Sequence, residues 1–192
     1  HRFLDIAVNS FKMDEKIKDT LFTLLNQGDS LMICGPTGSG KTSFLSSIMH
    51  EFFHNKRLVI LEDLRELAFN NPLWLNLKSR TQDIAGNEEI SLAKLLYESL
   101  RLHPERLVIG EIRQHELLPF IESTATAHMG VLTSFHAGSL FDVKKRISLL
   151  AQHLSAAIQE ELFYGKGHLV WCLFLDGKDF RVKSIERLSS VS

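Results

Sequence analysis

One octapeptide constrains this chain more than anything else in it: Gly35-Pro-Thr-Gly-Ser-Gly-Lys41-Thr42, which matches the Walker A spacing Gly-x4-Gly-Lys-Thr at every fixed position. The apolar run Leu31-Met-Ile-Cys34 precedes it and a helical pattern over residues 41–54 follows. That order predicts a strand, a glycine-rich turn and a helix, the setting in which such a loop binds phosphate. Gly38 and Gly40 allow the backbone to turn its N–H groups inward around an anion. The helix that follows points its positive end at the same anion. Lys41 supplies a mobile cation, and Thr42 offers a hydroxyl to Mg²⁺. The nucleotide-binding set is read as Gly35, Pro36, Thr37, Gly38, Ser39, Gly40, Lys41, Thr42 and Ser43.

The rest of the chain alternates short apolar runs with helical patterns, which predicts an α/β domain with a mostly parallel sheet flanked by helices. Helices are expected over residues 13–26, 41–54, 91–102, 114–127, 139–151 and 156–163. Strands are expected over residues 31–34, 58–61, 107–109 and 131–134. A terminal hairpin is expected from residues 168–174 and 180–184, around Asp176-Gly177. Residues 76–87 are polar and read as irregular or a short hairpin. With 192 residues the chain suits one domain. Within it, residues 1–30 form a linker and leading helix, 31–150 the core, and 151–192 a C-terminal helix and hairpin.

A nucleotidase must also orient water and hold Mg²⁺. In open α/β sheets those groups belong at the carboxyl ends of strands beside the phosphate-loop strand. Two strand ends qualify. One ends in Glu62-Asp63, with Glu66 one turn on. The other ends in Gly110-Glu111, a Walker B-like strand whose acid is glutamate rather than the commoner aspartate. Acids after apolar strands also serve as helix caps or surface charges, and for Glu62 and Asp63 that reading weighs equally. Among nine histidines, His128 and His136 stand apart because they flank the strand over residues 131–134. His136 falls at its carboxyl end and His128 before its start. By pattern alone both read as structural. Arg80, Arg101 and Arg113 are candidate phosphate or inter-subunit ligands, although each singly reads as a solvated charge.

Net charge is −1 and the isoelectric point about 6.8, which leaves no electrostatic footprint for nucleic acid or lipid. Cys34 and Cys172 lie in apolar runs and read as buried thiols of a cytosolic protein, and no Cys-x-x-Cys pair forms a zinc site. No run approaches the ~20 apolar residues that span a bilayer, and no signal peptide is visible. The start at His1 reads as a fragment of something longer.

Four boxes in order resemble the secretion ATPase superfamily of type II and type IV secretion, type IV pili and tight-adherence pili. They are Gly35–Thr42, Leu61-Glu-Asp-Leu-Arg-Glu66, Arg106-Leu-Val-Ile-Gly-Glu-Ile-Arg113 and Ala127-His-Met-Gly-Val-Leu-Thr-Ser-Phe-His-Ala-Gly138. Leu77-Lys-Ser-Arg80, Ile84-Ala-Gly-Asn-Glu-Glu-Ile90 and Leu100-Arg-Leu-His-Pro-Glu-Arg106 look closest to the type IV secretion and tight-adherence branch. The resemblance runs from about Leu31 to Leu150. It implies a RecA-like P-loop core that hydrolyses ATP with Mg²⁺. Lys41 would be the catalytic lysine, Thr42 and Glu111 would hold Mg²⁺, and Glu66 would position or activate water. His128, His136, Arg80, Arg101 and Arg113 would serve coupling, phosphate sensing or a neighbouring subunit. It further implies a homohexamer that is cytoplasmic, peripheral to the inner membrane through platform proteins, and bound to no nucleic acid.

The chain departs from the family's pattern in places. Ala127 stands where the family has Gly in Thr-Gly-His, Gln114 where Gly or Asp is common, and both the separate N-terminal domain and the tetracysteine zinc insertion are missing. Competing readings are a nucleotide-binding regulatory subunit with little hydrolysis, which Ala127 mildly favours, and a RecA-like nucleic-acid translocase, which the near-neutral charge disfavours. A small-molecule kinase is a further alternative, for which no acceptor pocket or arginine-rich lid is visible.

Overall fold

The computed structural model describes residues 10–67, 70–81, 88–113, 116–126, 130–150, 170–177 and 179–188. Its elements run α1 (Glu15–Gln27), β1 (Ser30–Cys34), α2 (Lys41–Phe52), β2 (Leu58–Glu62), β3 (Trp74–Lys78), α3 (Leu92–Ser99), β4 (Arg106–Glu111), α4 (Leu117–Thr126), β5 (Val131–Phe135), α5 (Leu140–Leu150), β6 (Val170–Asp176) and β7 (Arg181–Arg187). The seven strands form one sheet in the order β3-β2-β4-β5-β1-β6-β7. Every neighbouring pair is parallel except β6 and β7.

The continuous apolar runs arise because the central strands are buried on both faces. Ile17, Leu21, Phe44 and Ile48 of α1 and α2 pack with Leu31, Ile33, Leu58, Ile60 and Val108 on one face. Leu92 and Leu96 of α3, Leu117 and Phe120 of α4, and Val143 and Ile147 of α5 pack with Met32, Cys34, Val59, Leu61, Leu107 and Ile109 on the other. Local chemistry sets the helix starts. Asp14 caps α1 by accepting from the Ile17 N–H at 2.8 Å, and Gly28 ends that helix at φ 87°. Ser91 caps α3 in the same way, accepting from the Lys94 N–H at 3.2 Å.

Residues 76–87 correct the sequence reading in part. Asn76, Leu77 and Lys78 belong to β3, an edge strand parallel to β2. An edge strand that leaves Leu75 and Lys78 exposed lacks the buried apolar run that marks its neighbours. Residues 82–87 and the helix expected over 156–163 lie outside the described residues. The terminal hairpin is present, and its first strand pairs with β1, so residues 170–187 extend the same sheet as the phosphate-loop strand. Among the described residues no helix is long and apolar enough to cross a membrane.

Candidate nucleotide site

The loop between β1 and α2 takes the shape its glycines allow. Gly38 and Gly40 sit at φ 76° and 88°, in the left-handed region that favours glycine. A methyl group at Gly35 would stand 2.4 Å from Ser39 Oγ, so the loop closes tightly on itself. Ser39 Oγ is buried with no hydrogen-bond partner among the described residues. α2 begins at Lys41 with no side-chain cap, which leaves the first-turn N–H groups directed at whatever the loop encloses. Lys41 Nζ donates to the carbonyls of Gly35 at 3.0 Å and Pro36 at 2.8 Å, so the ammonium lies across the loop. Burial lowers its pKa, and Glu111, Cys34 and Glu66 oppose that shift.

The acids converge on this loop from two neighbouring strands. Thr42 Oγ1 donates to Glu66 Oε2 at 3.2 Å. Glu111 reaches the cleft through a bulge. β4 pairs Ile109 with Thr133 but Glu111 with Ser134, which leaves Gly110 as the extra residue. Ser134 Oγ donates to the Gly110 carbonyl at 2.6 Å and the Ile112 N–H to the Ser134 carbonyl at 3.1 Å, and these bonds hold the bulge. A bulge at a strand end re-aims the next side chain. Arg113 Nε donates to Glu111 Oε2 at 2.8 Å, and a guanidinium nitrogen lies 3.9 Å from Asp63 Oδ2. The Glu111 contact raises the Arg113 pKa. Asp63 in turn accepts from Ser79 Oγ at 2.7 Å.

Thr37, Gly38, Lys41, Thr42, Glu62, Asp63, Glu66, Glu111, Arg113 and His136 thus line one cleft of about 300 Å³, within the usual range for a small-molecule site. His136 stands exposed at the end of β5, and its carbonyl accepts from Arg146 at 3.0 Å. Arg80 lies elsewhere. Its backbone bridges to Ile90 and its guanidinium donates to the Glu88 carbonyl at 3.1 Å, which ties Arg80 to the segment that leads into α3. Arg101 lies in the 3₁₀ turn Leu100–Leu102 that leads to the amino end of β4, the sheet edge opposite the cleft, and pairs with Glu98 at 3.2 Å. His128, Ala127 and Gln114 lie outside the described residues.

Three sets of contacts were not read from the sequence. Glu62 is only 2% exposed and binds backbone rather than facing solvent. The β6–β7 turn backs the phosphate loop. A methyl at Gly177 would stand 3.1 Å from Pro36 Cγ, and one at Gly40 would stand 2.9 Å from the Phe180 ring. Arg106 is buried at the far end of the sheet and donates to the carbonyls of Asp29, at 3.1 Å, and Leu25. The contacts of the β6–β7 turn and of Arg106 have no spacing signal, because they join segments remote in sequence, and those of Glu62 run to an irregular backbone stretch that no periodicity marks.

Among the described residues no group of three or more His, Cys, Asp or Glu could hold a metal ion unaided. The oxygens of Thr42, Glu66 and Glu111 beside an anion-directed helix end fit Mg²⁺ instead, which takes one or two carboxylates and shares substrate phosphates. The orphaned Ser39 hydroxyl and the left-handed glycines fit a phosphate chain in the loop.

The sequence profile of the family described as "Type II/IV secretion system protein" matches residues 2–162. The type IV secretion system protein VirB11 of Brucella suis is 34% identical over 123 residues, covering 62% of this chain and 34% of that protein. The conjugal transfer protein TrbB of Rhizobium radiobacter is 28% identical over 187 residues, covering 95% of this chain and 55% of that protein. The solved VirB11 ATPase of the Brucella suis type IV secretion system, in complex with sulphate, superposes with TM-score 0.71 and 26% identity over 90% of this chain and 53% of its own. The pilus retraction motor PilT with bound ADP has TM-score 0.63 and 20% identity over 88% of this chain and 48% of its own, a likeness of fold. The chain spans about a third to a half of the curated relatives it matches. The chain belongs to the type II/IV secretion system protein family.

Proposed function

We propose that this chain is the Mg²⁺-dependent ATP-hydrolysing portion of a motor that powers a secretion system or a type IV or tight-adherence pilus. The observation that carries the proposal is the convergence of Lys41, Thr42, Glu66 and Glu111 on one cleft, with Thr42 bonded to Glu66 at 3.2 Å. Phosphoryl transfer to water needs positioning and charge neutralisation more than covalent chemistry. The loop's N–H groups and the Lys41 ammonium hold the phosphate chain. Mg²⁺, when bound with the nucleotide, neutralises charge on its phosphate oxygens. Thr42 and Glu111 would hold that ion, Glu66 would orient the attacking water, and Arg113 would hold Glu111 in place. His136, at the cleft wall, would report phosphate occupancy to α5 through the Arg146 contact. His128, Arg80 and Arg101 would serve coupling or a neighbouring subunit.

A relative named as a type IV secretion system protein and a solved structure named as the ATPase of such a system support the reading. A homohexamer at the cytoplasmic side of the inner membrane, working with platform proteins, is the assembly proposed for the whole protein. An arginine supplied by a neighbouring subunit is worth roughly 10³–10⁵ in rate, so the chain by itself should be slow. Steady-state phosphate release by the full-length protein, compared with Lys41→Ala and Glu111→Gln, tests the proposal. Loss of nucleotide binding in the first and of turnover in the second is expected. Equal turnover in all three proteins would overturn the proposal.

A further inference from the structure

Glu62 lines the cleft, yet its oxygens are committed inward. Oε1 accepts from the backbone N–H groups of Glu66 at 2.9 Å and Leu67 at 2.8 Å, and Oε2 accepts from Asn76 Nδ2 at 2.5 Å. A carboxylate that accepts three hydrogen bonds while 2% exposed has little left to offer a ligand. Its partners lie on two different segments. Glu66 and Leu67 belong to the irregular stretch after β2, and Asn76 to the edge strand β3. Its methylene stem touches a third, because a methyl at Gly110 would stand 3.3 Å from Glu62 Cγ. Gly110 is the bulge residue that aims Glu111.

We infer that Glu62 is a positioning residue. It clamps the backbone that carries Glu66 and packs against the bulge that carries Glu111, and so sets the two reactive carboxylates against the phosphate loop together. The stretch after β2 has no helix or ladder to hold it, and the two bonds to Oε1 take the place of secondary structure. Removing them releases Glu66 from Thr42 without touching the loop that grips phosphate. The inference rests on the role proposed for Glu66 in hydrolysis.

Misplacement by about 1 Å costs on the order of 100-fold in rate. Glu62→Ala in the full-length protein should therefore lower kcat about 100-fold while KM for ATP moves less than about threefold. Glu62→Gln should recover most of the activity. Its carbonyl replaces Oε1, and the Asn76 amide can turn over to accept from the new NH₂. Backbone hydrogen exchange gives a second readout that does not depend on turnover. In Glu62→Ala the amides of Glu66 and Leu67 should exchange at least tenfold faster, with those of the phosphate loop unchanged, and Glu62→Gln should keep them protected. Protection retained at both amides in the Ala variant overturns the inference, as does lost protection with full kcat. Were the wild-type protein to show no hydrolysis, the role proposed for Glu66 would fail while the exchange experiment still reads the clamp. If Glu62→Ala does not fold, Glu62→Gln and Asn76→Ala carry the test. Lost protection at Glu66 and Leu67 in either variant with kcat unchanged would overturn it.

Discussion

Gly130 lies in the stretch that resembles a histidine box, but the structure gives it a reason unrelated to nucleotide. A methyl group there would stand 2.1 Å from an Arg106 guanidinium nitrogen, 2.2 Å from the Asp29 carbonyl oxygen and 2.4 Å from that of Gly28. Two of the three obstacles are backbone, so a rotamer change cannot clear them. Either the start of β5 moves away from β1, or Arg106 leaves its site. Burial pushes the Arg106 pKa down to about 10 against the opposing pull of Asp29, so expelling the guanidinium returns on the order of 3 kcal/mol at 1.36 kcal/mol per pH unit. Against that stand two charge-assisted bonds to the carbonyls of Asp29 and Leu25, worth about 1.5–3 kcal/mol each. Overpacking adds about 1–3 kcal/mol. The net expectation for Gly130→Ala is a destabilisation of about 3 kcal/mol. At about 2–4 °C per kcal/mol for a domain of this size, Tm should fall by about 6–12 °C. Thermal and urea unfolding followed by circular dichroism measure it. Gly138→Ala is the control, because its methyl would meet only Asp142 Oδ2, at 3.5 Å. A Gly130→Ala protein that melts within about 2 °C of wild type, the shift expected for less than 1 kcal/mol, would refute the packing argument.

Gly110→Ala should displace Glu62 and the bulge together, lowering kcat about tenfold for a stability loss of about 1 kcal/mol, read by phosphate release and urea unfolding. Arg113→Ala should leave stability within about 1 kcal/mol, since its side chain is 60% exposed, but should lower kcat by loosening Glu111 while ADP affinity by calorimetry holds. Gly40→Ala combines a φ of 88° with a 2.9 Å approach to the Phe180 ring. Its cost in unfolding free energy should be smaller in a Phe180→Ala background, and strict additivity of the pair would contradict the contact.

The octapeptide, its flanking strand and helix, and the alternation of apolar runs with helical patterns were all legible in the chain. Each is a local signal: a spacing that turns the backbone, or a period that tells a buried strand from an amphipathic helix. Glu66, Glu111 and His136 could be named because a strand's carboxyl end is where open α/β sheets place chemistry. Strand order was decided only in three dimensions. β5 lies between β1 and β4, and this spacing brings Glu111 beside Lys41. The β3 edge strand gave no signal because Trp74 alone of its five residues is buried. Glu62 read equally as a functional acid or as a cap or surface charge until its three partners, up to 14 residues away, were seen around it. Gly130 and Arg106 carried no role in the sequence reading, for the same reason. What decides such residues is the desolvation of a polar group against a distant backbone, a quantity that exists only once the sheet has formed.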